Sequence, residues 1–150
     1  MIRQGIRQPQ WRNLKLINLL EYLEKTVKTK NNKAAFLAPE AGESISFGEI
    51  YTSARGIGSY LWERGCYRQP VIVFMDKCPA EVAAFQGVLY AGCYYVPMDK
   101  ELPRDRIRHI CQIVETSVIL CDGEDKLEYL PVSEREKVVY YEEVRNHPIM

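Results

Sequence analysis

Val88-Leu89-Tyr90-Ala91-Gly92-Cys93-Tyr94-Tyr95-Val96-Pro97-Met98-Asp99 is the stretch whose reading decides the fold. A helix ends at Gly92, where glycine accepts the left-handed backbone that closes a helix. Cys93 to Val96 then reads as a short apolar strand that stops at Pro-Met-Asp. The same alternation continues on both sides. Upstream, Val71–Met75 is an unbroken apolar run, the mark of a strand covered on both faces. Pro79 opens the intervening helix at a position where its missing N–H costs nothing, and Val82, Phe85 and Leu89 form the predicted inward stripe. Downstream, Pro103 opens a helix to Glu115 with Ile107, Ile110, Cys111 and Val114 on one face, and Ser117–Cys121 is a third strand. Asp122-Gly123 is a turn, a charged segment runs to Lys137, and Val138–Tyr141 reads as a fourth strand.

The first third of the chain has a different texture. Asn18 caps a helix carrying Leu19, Leu20, Leu23 and Val27 on one side, with Lys28 and Lys30 at its negative end. Ala34–Ala38 and a segment ending at Ile45 read as short strands around Gly42. Ser46 and Glu49 form a capping box for a helix over 47–64, in which Ile50, Ala54, Ile57 and Leu61 recur at helical spacing before Gly65 ends it. Strands separated by helices of about ten residues imply parallel pairing through crossovers. The fold class is therefore α/β: a mostly parallel, flavodoxin-like sheet with helices on both faces. Such sheets bind ligands beyond the carboxyl ends of their strands.

Composition bounds the function. With 150 residues and 47% hydrophobic content the chain can build one real core. The expected organisation is a solvated tail over 1–16, bearing Arg3, Arg7, Arg12 and Lys15 without an acid, and one domain over 17–150. Twenty basic residues balance twenty acidic ones, so no electrostatic footprint for nucleic acid or an anionic membrane exists. No apolar run approaches the roughly 20 residues of a membrane-spanning helix. Cys66, Cys78, Cys93, Cys111 and Cys121 are odd in number and contain no C-x-x-C pair. They read as reduced core thiols of a cytoplasmic protein. His109 and His147 have no ligand set around them, so no metal is expected.

The familiar catalytic and phosphate-binding patterns are missing from these residues: there is no G-x-x-x-x-G-K-[ST], G-x-S-x-G or H-E-x-x-H. Gly56-Ile57-Gly58 lies within a predicted helix and reads as close helix packing. Asp76-Lys77 and Asp99-Lys100-Glu101 follow two core strands, where they either carry function or form solvated turns. Arg104 and Arg108 share a helix face, either as a phosphate site or as a solvated surface. Tyr94, Tyr95, Tyr140 and Tyr141 suit strand interiors.

Taken in order, these segments resemble the adenylate-forming (AMP-binding) enzymes. Leu89–Asp99 is similar to their motif L-K-A-G-x-A-Y-V-P-L/I-D, Ile45–Ile50 to L-T-Y-x-E-L, and Pro103–Ile107 to P-x-x-R-I. Val71–Glu81 and Val118–Asp122 resemble the strand segments between and after them, so the likeness runs from about Asn18 to Glu143. Tyr90 departs from the family's lysine, Cys93 and Tyr94 from its small residues, and Lys100 from a frequent proline. The resemblance implies the N-terminal subdomain of an adenylation domain, most like those of peptide synthetases or D-alanine carrier-protein ligases. It implies a parent ligase that converts carboxylate and ATP to acyl-AMP and pyrophosphate, then passes the acyl group to a thiol. ATP and Mg2+ would serve the parent, and none is expected for this stretch, which lacks the family's ATP loop and catalytic lysine. No catalytic, cofactor-binding or metal residue is assigned. Gly92, Pro97 and Asp99 would be scaffolding: a helix end, a clean strand end and a loop fixture. Partners would be the rest of an adenylation domain or a carrier protein, with self-association through bared strand tyrosines. The rival readings are a non-enzymatic module docking to a carrier protein or synthetase, and an unrelated flavodoxin-like binding domain.

Overall fold

The computed structural model describes residues 18–150, so the expected tail over 1–16 lies outside the described residues. The chain runs α1 (Leu20–Lys30), β1 (Ala34–Ala38), β2 (Glu43–Ser46), α2 (Phe47–Glu63), β3 (Pro70–Phe74), α3 (Pro79–Tyr90), β4 (Tyr94–Met98), α4 (Arg104–Val114) and β5 (Ile119–Cys121). Two 3-10 helices, Glu124–Tyr129 and Val132–Lys137, then lead to β6 (Val138–Tyr140) and the short α5 (Tyr141–Val144). β1 and β2 form an antiparallel hairpin of their own. The main sheet has the order β4-β3-β5-β6, and every pairing in it is parallel.

β3 is the central strand, and its alternation builds both cores. Val71 and Val73 face α2 and α3, where they meet Ile57, Leu61, Val88 and Leu120. Ile72 and Phe74 face the other way, against Ile107 of α4 with Met98, Ile119 and Leu130. The sheet is thus covered on both faces, as the unbroken apolar run requires. The predicted box at α2 is present: Ser46 Oγ accepts the Glu49 amide at 3.2 Å, and Glu49 Oε2 accepts the Ser46 amide at 2.8 Å. Asn18 Oδ1 likewise accepts the Glu21 amide at 3.1 Å, one residue before the first turn of α1 settles.

Glycine sets the spacing of α2 on α3. A Cβ at Gly87 would lie 2.6 Å from Ile57 Cβ, and one at Gly58 would lie 2.6 Å from Tyr90 Cβ. Gly56-Ile57-Gly58 is therefore a packing element, as read from the sequence. The close approach also corrects the inward face of α3. The buried residues are Ala83, Ala84, Gly87 and Val88, while Val82, Phe85 and Leu89 sit half-buried on its flanks. Small residues win the contact because α2 and α3 approach too closely for larger ones.

Two further expectations are corrected. β4 does not stop before Pro97; it runs through it to Met98. β4 is an edge strand, where proline's missing donor removes no ladder bond from a second neighbour. The four tyrosines also part ways. Tyr141 opens α5 and is 3% exposed, and Tyr140 is half-buried. Tyr95 stacks on Phe85 at 4.4 Å between centroids, and Tyr94 stays exposed. Leu19, Tyr22, Phe36 and Leu37 are exposed apolar residues as well.

The chain leaves β3 through α3 toward β4 on one side of the sheet, and leaves β5 toward β6 on the other. The strand order thus reverses between β3 and β5, and a crevice opens beyond their carboxyl ends.

Gly87→Ala pushes a methyl into Ile57, and overpacking of this kind costs about 2 kcal/mol. The denaturant midpoint should fall accordingly, while the exposed Glu136→Ala leaves it unchanged.

Candidate functional site

The loops after β3, β4 and β5 meet at this crevice, and each brings acids and bases. Asp76 and Lys77 follow β3, Asp99 and Lys100 follow β4, and Asp122 follows β5. The first 3-10 helix returns Asp125 and Lys126 to the same place. Lys126 is 1% exposed. Its ammonium lies 2.7 Å from Asp122 Oδ1, 3.1 Å from Asp125 Oδ2 and 3.3 Å from Asp76 Oδ1. Three carboxylates thus surround one ammonium, which donates a hydrogen bond to Asp125. Asp76 also pairs with Lys100 at 2.9 Å, and Asp122 Oδ2 accepts the Asp76 amide at 2.8 Å. The ends of β3 and β5 are bolted together by that last bond, and the β4 loop joins through Lys100.

The electrostatics follow from this packing. Burial opposes the charge on Lys126, but the Asp122 and Asp125 contacts and the Asp76 charge outweigh it, so its pKa lies above the ordinary lysine value. The Lys100 hydrogen bond, against burial and with help from Lys126, holds the Asp76 carboxyl below the usual carboxylate range. Cys121, one residue before Asp122, is pushed up to about 12 by burial and by that neighbour, so its thiol is inert at neutral pH.

An open cleft of ≈ 650 Å³ adjoins the cluster, running past Glu43, Glu49, Asp76, Cys78, Asp122 and Arg145. Its lining holds five carboxylates, those of Glu43, Glu49, Asp76, Asp122 and Glu142, against the one guanidinium of Arg145. Glu49 is spent on the α2 cap and Glu142 on Arg145 at 2.9 Å. A polyphosphate needs backbone donors and cations. This lining is the reverse, so the residues present do not fit the phosphates of ATP. Among the described residues no group of three or more His, Cys, Asp or Glu could hold a metal ion. What the arrangement does chemically is hold three loops at fixed spacing.

Of the residues singled out in the sequence, Asp76 and Lys100 enter the cluster directly. Lys77 and Asp99 form an exposed pair at 3.6 Å, and Asp99 Oδ1 accepts the Glu101 amide at 2.9 Å, fixing that loop. Arg104 and Arg108 are not brought together on a ligand. Arg104 contacts Glu128 and covers the Tyr129 ring at 5.0 Å, and Arg108 pairs with Asp105 at 3.1 Å. All five cysteines are free, and His147 pairs with Glu63 at 2.8 Å. Tyr90, at the place of the motif's lysine, donates to Glu24 Oε1 at 3.1 Å and ties α3 to α1. The residue missed is Lys126. Its signal was Asp122-Gly-Glu-Asp-Lys126 after a core strand, which sets an acid four residues ahead of a lysine.

Comparison with known proteins agrees with this architecture. The sequence profile described as AMP-binding enzyme matches residues 23–148. Tyrocidine synthase 1 of Brevibacillus parabrevis is 38% identical over 77 residues, which is 51% of this chain and 7% of the synthase. The D-alanine--D-alanyl carrier protein ligase of Listeria welshimeri is 30% identical over 86 residues, 56% of this chain and 17% of the ligase. The crystal structure of the nonribosomal peptide synthetase FmoA3 (S1046A), in its alpha-methyl-L-serine-AMP bound form, superposes with a TM-score of 0.74 at 26% identity. That match covers 85% of this chain and 14% of FmoA3. The fatty acid AMP ligase from Legionella pneumophila shares the fold, with a TM-score of 0.78 at 18% identity over 95% of this chain and 27% of the ligase. The chain thus spans a small share of the length of each relative.

Removing one partner of a buried charge cluster leaves the others uncompensated, so Lys126→Met should cost about 3 kcal/mol. Calorimetry on the variant reads the loss. The signs of the pH dependence are opposite for the two partners. The Asp76 contribution is present above the unfolded carboxylate pKa and lost as pH falls through the depressed folded value. The Lys126 contribution is full below the unfolded lysine pKa and lost as pH rises through the elevated folded one. Stability should therefore hold across the neutral range and fall at both extremes, and Lys126→Met should reduce the alkaline fall, leaving the share that the buried Cys121 thiol contributes as it ionises on unfolding.

Proposed function

The chain belongs to the AMP-binding enzyme family, and on that premise we propose that it is the N-terminal part of the adenylating unit of an ATP-dependent acid–thiol ligase. The whole unit would join a carboxylate to ATP, giving acyl-AMP and pyrophosphate, and then pass the acyl group to a thiol with release of AMP. The observation that carries this reading is the family match across residues 23–148, supported by a fold that superposes on a peptide synthetase. Relatives named as peptide synthetases and carrier-protein ligases favour an amino-acid substrate and a carrier-bound thiol.

In this reading the chain supplies shape rather than chemistry. The acidic crevice with its captured Lys126 repels phosphate, so ATP and Mg2+ would be held by residues beyond this stretch. The clamped loops at the ends of β3, β4 and β5 would form the wall against which that remaining part packs. The chain alone would then be inactive. The five free thiols, four of them buried, suit the reducing cytoplasm.

ATP–pyrophosphate exchange separates this proposal from the non-enzymatic module. The chain alone should give no exchange with any of the standard amino acids. Fused ahead of the remaining portion of a tyrocidine synthase adenylation domain, in place of the matching segment, it should restore measurable exchange. A well-folded fusion with no exchange would favour a docking module. Robust exchange by the chain alone, abolished by a substitution within residues 1–150, would refute the scaffolding role.

A further inference from the structure

The hairpin strand β1, Ala34-Ala35-Phe36-Leu37-Ala38, is paired on one side only. Between Ala34 and Leu37 no backbone hydrogen bond beyond those of the hairpin is made among the described residues. The strand carries no charge and no proline, and Phe36 and Leu37 are 45% and 67% exposed. The other edges are guarded. β4 carries Pro97, β6 has only three residues, and β2 begins with Glu43. The register of β1 on β2 shifts between Ala34 and Phe36, and beyond that bulge Phe36 to Ala38 form an apolar edge, a template for a further strand. The apolar exposure also continues off the strand. Leu19 and Tyr22 of the neighbouring α1 region are 57% and 48% exposed, and with Phe36, Phe47 and Val82 they line a groove of ≈ 190 Å³.

We propose that β1 is a self-association edge, at which two copies of this chain pair β1 with β1 in antiparallel fashion to form one four-stranded sheet across a two-fold axis. An antiparallel pair of identical strands sets the start of one beside the end of the other. Lys33 precedes β1 and Glu40 follows it, so each end of the joint brings a cation of one copy near an anion of the other. The middle of the joint holds only alanine, phenylalanine and leucine, so nothing of like charge faces its own copy on the axis. Phe36 and Leu37 leave water, and the free backbone groups of the edge gain partners. This inference concerns the strand edge alone and does not rest on the ligase reading.

Sedimentation of the full chain at micromolar concentrations tests it, with circular dichroism to confirm folding of each variant. The wild-type chain should sediment as a reversible dimer. Leu37→Lys, which sets lysine on the edge, should weaken dimerisation by about tenfold or more. Lys33→Glu should weaken it as well, and Lys33→Glu combined with Glu40→Lys should restore it, a rescue that a merely structural role would not give. A strict monomer would overturn the proposal and leave the edge to another segment or partner. So would a dimer indifferent to Leu37→Lys, or one in which the double charge exchange fails to rescue.

Discussion

A buried ammonium braces the carboxyl end of the main sheet. Lys126 has lost almost all contact with water, and desolvating a lone charge costs several kcal/mol. The cost is met because three carboxylates converge on it from two strand ends and a 3-10 helix. Asp76 could not be so placed unless β3 and β5 were adjacent and parallel, with their carboxyl ends level. The register supplies that, setting Phe74 beside Cys121. Asp76 and Asp122 stand just beyond those residues, and their direct bond is the sheet's register continued past its last ladder rung.

The layers behind the cluster follow from volume. Parallel strands joined by crossovers need helices on both faces, and here the two faces are built differently. On one face glycine and alanine draw α2 and α3 together, and the ladder of Val71, Val73 and Leu120 fills the space beneath. On the other face α4 packs on the sheet through Ile107 and Cys111, and the 3-10 helix that delivers Lys126 is anchored by Leu130. The brace and the second core are therefore one construction, since moving Leu130 would move Lys126. The hairpin packs on the first core through Ile45 and Ala35 but does not join the main sheet, and its outer strand keeps an open edge.

Much of this was legible in the residues. The apolar run at Val71–Met75 announced a strand covered on both faces, the Ser46–Glu49 box started α2 where it starts, and Gly65 and Gly92 end helices with positive φ as read. The α/β class and the family resemblance came from the order of these signals. Periodicity failed where tertiary spacing overrode size. The α3 stripe looked like Val82, Phe85 and Leu89, yet the buried face belongs to Ala83, Ala84 and Gly87, because only the partner helix reveals how close it comes. Pro97 looked like a strand end because a sequence does not say which strand lies at an edge. Lys126 was hidden for a related reason. A lysine in a charged stretch reads as solvated until the fold shows that two of its three carboxylate partners, Asp76 and Asp122, stand at the ends of neighbouring strands. The acidic character of the crevice was equally unreadable, since it sums Glu43, Asp76, Asp122 and Glu142 from separate segments.

On the proposed reading, an internal ion cluster braces the crevice and its acidic lining turns phosphate away. Nitrogen-detected resonance of the lysine ammonium groups, followed through an alkaline titration with and without ATP and Mg2+, tests it most directly. One ammonium, assigned by its loss in Lys126→Met, should exchange slowly with water and deprotonate above the ordinary lysine value of about 10.4. Its signal stays in place when nucleotide is added. A Lys126 that titrates with the surface lysines would contradict the cluster, and a saturable shift with ATP would make the crevice a nucleotide site.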